Sequence, residues 1–251
     1  MLKEVRKAIL RGAATTDGFA VAESFHLLEE ALRSDCEISA VFAAESVKSA
    51  VQRHVGGLKN IRVVVLPDDL FRGISATESS QGVMALVRPP SWTLDQLFRG
   101  RSLVIILDGL QDPGNAGTIV RASEAFGATG VVFLKGAVNP YNPKCLRASA
   151  GSIFRVPLVA SIDERLLLAA VEQRKLEMFA LAPRGPLELG ECNLTGKCAI
   201  IVGSEGRGVS DRLCAKAIDV RIPTVGVESL NAALAAGIAL YVARKQRMSA
   251  P

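Results

Sequence analysis

Ile200-Ile201-Val202-Gly203-Ser204-Glu205-Gly206-Arg207-Gly208, followed by Ile222-Pro223 and then Glu228-Ser229-Leu230-Asn231, decides how this chain is read. The apolar residues have the pattern of a buried strand and empty into a glycine loop that carries one carboxylate, Glu205. A second strand end at Ile222 leads through Ser-Leu-Asn into a helix of small residues, Ala232, Ala233, Ala235, Ala236 and Gly237. Two polar loops at strand ends are where an α/β protein builds a ligand site. Gly203 and Gly206 allow close backbone approach to a ligand. Ile222 and Leu230 flank the second loop and offer apolar surface to a flat, adenine-like ring. Ordinary core and helix packing is the structural alternative for the apolar and small residues.

Outward from this stretch, strands are predicted at 102–107, 130–134, 156–159, 178–181 and 199–202. Between them, helices fit 116–126, 142–151, 163–174, 210–216 and 230–247, with Gly127 a natural left-handed cap. The alternation predicts an α/β fold: a mostly parallel sheet with helices on both faces. The first half also alternates, with strands at 38–42, 61–66 and 82–87 and helices at 46–54 and 68–74. Val21-Ala22-Glu23-Ser24 is read as opening a helix that carries Leu27, Leu28, Ala31 and Leu32, with Ser24 as its cap. About 70 residues of this kind form a small three-layer α/β/α domain. Arg88-Pro89-Pro90-Ser91-Trp92 breaks regular structure, which gives domains at 1–90 and 102–251 joined by a linker at 91–101.

Composition narrows the chemistry. Thirty Lys+Arg against 25 Asp+Glu give a formal charge of +5, a mild excess that suits an anionic partner such as RNA. Five cysteines (36, 145, 192, 198 and 214) without a C-x-x-C pair read as reduced, structural thiols, which points to the cytoplasm. With only His26 and His54 available, neither a histidine metal site nor a Ser-His triad is expected. No apolar run approaches the length of a membrane span, so no membrane partner is expected.

The glycine loop is no dinucleotide fingerprint, because G-x-x-G-x-G has the wrong order and no acidic residue follows at the right distance. A nicotinamide oxidoreductase is therefore a weak alternative. Gly109-Leu110-Gln111-Asp112-Pro113-Gly114-Asn115-Ala116-Gly117 lacks the Gly-Lys-Ser/Thr that closes a P-loop, so nucleotide hydrolysis drops out. What remains is a cofactor held largely by backbone groups.

Three blocks resemble the SpoU/TrmH family of RNA ribose 2′-O-methyltransferases, a branch of the knotted SPOUT methyltransferases. The first runs from Leu107-Asp108-Gly109 through Asn115 to Arg121; the second is Ile201 to Gly208; the third runs from Ile222-Pro223 through Ser229-Leu230-Asn231 to Gln246-Arg247. The first half, through Val21-Ala22-Glu23-Ser24 and Thr77-Glu78-Ser79-Ser80-Gln81-Gly82-Val83, resembles the L30-like substrate domain that many members carry. Three departures stand out. Thr224 replaces the usual Met, the Pro-to-Ser-Leu-Asn spacing is one residue short, and a glycine-rich segment is reduced to Pro183-Arg184-Gly185-Pro186.

The resemblance implies S-adenosylmethionine (SAM) as cofactor, a C-terminal trefoil knot, a homodimer through the knotted domain, and structured RNA as substrate, with ribosomal RNA favoured over transfer RNA. It places the adenosyl part against main-chain groups near Ala182, Gly203, Ile222 and Leu230, with Glu205 and Gly206 in the same loop. It implies Arg121 as the residue acting on the 2′-hydroxyl. Since a guanidinium deprotonates only above about pH 12, two roles stay open: a clamp that stabilises alkoxide charge, or a transient base in a strongly cationic pocket. Asn115 is read as a helix cap that also contacts RNA or orients Arg121. Glu205 is read as ordering Arg121, Asn115 or substrate, Ser229 as a cap for the last helix, and Asn231 as a hydrogen-bond partner of the ribose or Arg121. Arg6, Lys7, Arg11, Lys144, Arg147 and Arg207 are candidate RNA contacts. A catalytically silent RNA-binding module with the same fold is the second reading.

Overall fold

The computed structural model describes residues 1–58, 61–77 and 79–249; Glu78, within the 77–83 match, lies outside the described residues. The first elements are α1 (Leu2–Arg11), β1 (Ala20–Glu23), α2 (Phe25–Arg33), β2 (Glu37–Ala44), α3 (Lys48–Val55), β3 (Arg62–Leu66), α4 (Asp68–Arg72) and β4 (Val83–Arg88). Then come α5 (Leu94–Leu97), β5 (Leu103–Leu107), α6 (Pro113–Phe126), β6 (Gly130–Leu134), α7 (Pro143–Ser149), β7 (Leu158–Ile162) and α8 (Glu164–Arg174). The chain ends with β8 (Glu177–Leu181), β9 (Leu187–Glu188), β10 (Cys198–Val202), α9 (Asp211–Cys214), β11 (Ile218–Arg221) and α10 (Ala232–Ser249).

Two compact units result: Met1–Pro90 with Asn139–Arg155, and Ser91–Val138 with Val156–Pro251. In the first, four strands pair in the order β1-β4-β2-β3, and only β2–β3 is parallel. Val21 to Glu23 form strand β1 rather than the start of a helix; all four residues of that strand are buried, which suits extended pairing with β4. Ser24 does cap α2, its Oγ accepting the Leu27 N–H at 3.1 Å.

The segment Asn139–Arg155 comes from the second half of the sequence but packs with this first unit. Arg155 Nη1 donates to Glu30 Oε2 at 2.6 Å, and Arg33 Nη1 to Glu30 Oε1 at 2.9 Å. Gly151, at φ +88°, lets the backbone lie against the Glu30 side chain where a Cβ would collide. The Glu30 side chain is only 10% exposed. Burial opposes its ionisation, but the bond from Arg155 and the charges of both arginines overcome it and hold the carboxyl below its usual range.

In the second unit seven strands pair in the order β7-β6-β5-β10-β8-β11-β9, every pair parallel. All five residues of β5, β6 and β10 are buried, as the near-continuous apolar runs require of strands covered on both faces. Val104, Ile106, Val132 and Ile201 meet Leu97, Leu167 and Leu213 in one core layer. No helix of the described residues is long and apolar enough to cross a membrane.

A carboxyl held below its usual range stabilises the fold above its unfolded titration and loses that contribution as pH falls through the lowered value. Glu30→Gln is expected to cost about 1–2 kcal/mol near neutral pH. In urea unfolding, the gap to wild type should close as the pH drops through the carboxylate range.

Candidate active site

Because the large sheet is parallel, the C-terminal ends of β5, β8, β10 and β11 open on one side. Strand order reverses direction between β5 and β10: β6 and β7 extend one way, while β8, β11 and β9 extend the other. At such a switch point the connecting chains diverge and leave a crevice. A cavity of about 850 Å³, within the range of small-molecule sites, lies beside that point, at the C-terminal ends of β8, β10 and β11. Ala182, Gly203, Gly206, Ile222, Ser229 and Leu230 line it, joined by Glu205 and Asn231.

The loop after β10 is a closed turn. Ser204 N–H donates to the Gly208 carbonyl at 3.0 Å, Gly208 N–H returns to Ser204 at 2.9 Å, and Arg207 N–H donates to Ser204 Oγ at 3.2 Å. Gly203 is required here because a Cβ would run into the Gly208 backbone. Asp108, just beyond β5, ties this loop to its neighbour: its Oδ2 accepts the Ser210 N–H at 2.7 Å, and its own N–H donates to the Val202 carbonyl at 2.9 Å.

Asn115, Glu205 and Asn231 come together although they are far apart in sequence. Asn231 Oδ1 accepts the N–H groups of Ala233 at 2.9 Å and Leu234 at 3.2 Å, and its carbonyl accepts from Ala235 at 2.9 Å. Asn231, not Ser229, is thus the cap of α10. With its oxygen occupied, its Nδ2 donates to Asn115 Oδ1 at 3.0 Å, and Asn115 Nδ2 donates to Glu205 Oε1 at 2.7 Å. The helix start dictates both amide orientations, and the chain of donors ends on a carboxylate that can only accept. Asn115 is not a cap either. Asp112 fills that role, its Oδ1 accepting the Asn115 N–H at 2.7 Å, which leaves the Asn115 amide free for its two partners. The Asp112-Pro113 pair is an ordinary helix-start signal that sequence reasoning passed over.

Arg121 lies elsewhere. It is exposed on α6, makes no hydrogen bond or ion pair among the described residues, and does not line the cavity. The bond from Glu205 goes to Asn115, not to Arg121. Arg121 lies six positions beyond Asn115 on the helix, so helical geometry turns them to different faces. Ser229 is exposed at the cavity edge. The small-residue helix serves two purposes: Ala232 and Ala235 border the cavity, while Ala233, Ala236, Ala239 and Ala243 are buried, and α10 packs on α6.

The short second loop has its own closure, since Thr224 Oγ1 donates to the Val227 carbonyl at 2.8 Å around Gly226 at φ +81°. Burial pushes the thiols of Cys36, Cys192, Cys198 and Cys214 up, which leaves them poor nucleophiles at neutral pH. Among the described residues, no group of three or more His, Cys, Asp or Glu side chains is placed to hold a metal.

Residues 102–241 match the SpoU rRNA Methylase family. The chain belongs to that family. Residues 2–85 match the MRM3-like substrate binding domain. A 23S rRNA (guanosine(2553)-2′-O)-methyltransferase, RlmP of Bacillus subtilis, is 31% identical over 96% of this chain and 94% of its own length. The crystal structure of an RNA 2′-O ribose methyltransferase superposes with a TM-score of 0.82 at 27% identity, covering 98% of this chain and 96% of that one. The AdoMet complex of AviRb from Streptomyces viridochromogenes shares the fold, with a TM-score of 0.89 over 100% of this chain and 98% of its own, at 23% identity.

Two substitutions separate the parts of this family member's site. Gly203→Ala should abolish cofactor binding in calorimetry, because the turn after β10 cannot close around a methyl group. Asn231→Asp keeps an oxygen for the helix N–H groups but loses the amide donor to Asn115. Thermal stability should stay within about 0.5 kcal/mol of wild type, while methyl transfer falls by at least about tenfold.

Proposed function

We propose that this protein transfers a methyl group from SAM to a ribose 2′-hydroxyl of structured RNA, ribosomal RNA before transfer RNA. The observation that carries this reading is the Asn231–Asn115–Glu205 chain at the edge of the strand-end cavity, in a member of the SpoU rRNA Methylase family. The residues present fit the cofactor. Ile222 and Leu230 supply apolar surface for a flat base, Ala182 lines the same cavity, and the backbone at Gly203 and Gly206 borders it without a Cβ in the way. When bound, SAM supplies a methyl group already activated on a sulfonium.

What is left for the protein is alignment and charge. Glu205 fixes Asn115, Asn115 fixes Asn231, and the cap bonds of Asn231 fix the chain to α10. The helix thereby holds polar groups in one orientation beside the cofactor cavity. Arg121 lies outside the cavity and has no fixed partner to release among the described residues, so its guanidinium is available to grip an RNA phosphate. That arrangement favours the clamp over the transient base. Ser229, exposed at the cavity edge, is a further donor to substrate.

Ribosomal RNA as substrate is supported by the name of the Bacillus subtilis relative, aligned over nearly the whole chain. Family membership supports a trefoil knot in the C-terminal segment. A homodimer through α10 is supported by Leu234, Tyr241 and Met248, which recur every seventh residue and stay 53%, 54% and 69% exposed. Cysteines that form no disulfide suit the reducing cytoplasm.

Labelled SAM and unmodified ribosomal RNA test the proposal. Arg121→Ala should lower methyl transfer by about a hundredfold or more while SAM binding in calorimetry stays unchanged. Wild-type turnover in that variant removes Arg121 from the reaction.

A further inference from the structure

The Pro183-Arg184-Gly185-Pro186 segment, which departs from the family pattern, forms a rigidly built turn after β8. Gly185 N–H donates to the Ala182 carbonyl at 3.1 Å. Gly185 presses on β11 so closely that a Cβ would come within 2.7 Å of the Val220 nitrogen and 2.8 Å of the Asp219 carbonyl carbon. The Arg221 guanidinium takes the carbonyls of Gly185 and Pro186, both at 2.9 Å, and is itself held by Glu188 Oε1 at 2.8 Å. Two prolines restrict what backbone freedom remains.

One charged side chain stands on this braced turn. Arg184 is exposed, lines the large cavity and also a contiguous one of about 370 Å³, and makes no hydrogen bond or ion pair among the described residues. The turn after β10 repeats the arrangement. Arg207 stands exposed on a loop closed by two backbone bonds and lines the same cavity, and its guanidinium has no partner among the described residues. Nearby carboxylates leave both cations unspent: Glu205 accepts from Asn115, and Glu228, on the cavity wall, pairs with neither arginine.

We propose that Arg184 and Arg207, one on each of two rigid turns at the cavity mouth, form a two-point phosphate subsite that grips the RNA strand flanking the methylated ribose. The inference rests on the RNA methyltransferase reading above. Two fixed, unpaired guanidiniums suit this task because their planar donor sets match phosphate oxygens, and because a side chain on a braced turn loses less freedom on binding. Their place at the mouth suits a polyanion that crosses the cavity. A SAM carboxylate is the competing anion, and the experiment separates the two.

The test uses the full-length chain with in vitro transcribed, unmodified 23S rRNA, and compares wild type with R184Q, R207Q and the double variant. SAM affinity is read by calorimetry, and KM and kcat for RNA across a salt series. Each single variant should raise KM for RNA about tenfold and shallow the salt dependence by about 0.7 to 0.9 of a log unit per log unit, with the double variant losing about twice that. SAM affinity and kcat at saturating RNA should stay near wild type. R184K should recover part of the salt slope but not the full KM. A loss of SAM affinity matching the loss in KM overturns the proposal in favour of the SAM carboxylate. Unchanged KM and salt slope in the double variant overturn it outright. If wild type itself bound SAM but methylated no RNA, the functional reading would fail instead.

Discussion

The parallel pairing of β10 with β5, residue by residue from Cys198 on Leu103 to Val202 on Leu107, is the constraint on which the site depends. Both strands are buried along their whole length. With both faces covered, side-chain packing holds the register, because a one-residue slip would exchange the residues packed on each face. With the register set, Asp108 and Gly203 leave the sheet side by side. The bond from Ser210 N–H to Asp108 then joins the loops that each strand releases.

The same economy appears at the start of α10. A helix N-terminus leaves N–H groups that need acceptors. Asn231 provides one oxygen for two of them, which leaves its amide nitrogen to donate to Asn115. A requirement of secondary structure thus fixes the direction of a polar chain that ends at Glu205. An aspartate would cap the helix equally well but would set two acceptors face to face. This gives a physical reason for asparagine at that position.

Much was legible in the sequence. The apolar runs at 102–107 and 199–202 gave a parallel sheet because a strand buried on both faces has no polar side to alternate. Gly203, Gly206, Ile222 and Leu230 were legible as residues at two strand ends, and they line one cavity. Val21 to Glu23 misled, since a short apolar run beside a good cap residue reads equally well as the first turn of a helix. Only pairing with β4 decides that it is a strand. Asn115 and Ser229 were likewise assigned caps that Asp112 and Asn231 fill, because several residues near a helix start can offer the oxygen and geometry alone chooses one.

By itself, then, the sequence determined the class of fold, the order of its elements, the family blocks and most of the cavity wall, since these follow from local periodicity and from residue chemistry at fixed spacing. Tertiary structure alone decided that Asn139–Arg155 packs with the first unit, that Asn231 reaches Asn115 and Asn115 reaches Glu205 across 90 residues or more, and that Arg121 stands apart from the cavity. Those outcomes depend on which buried charge finds which partner and on which two strand ends lie side by side. They are contacts between residues distant in the chain, and no local pattern records them.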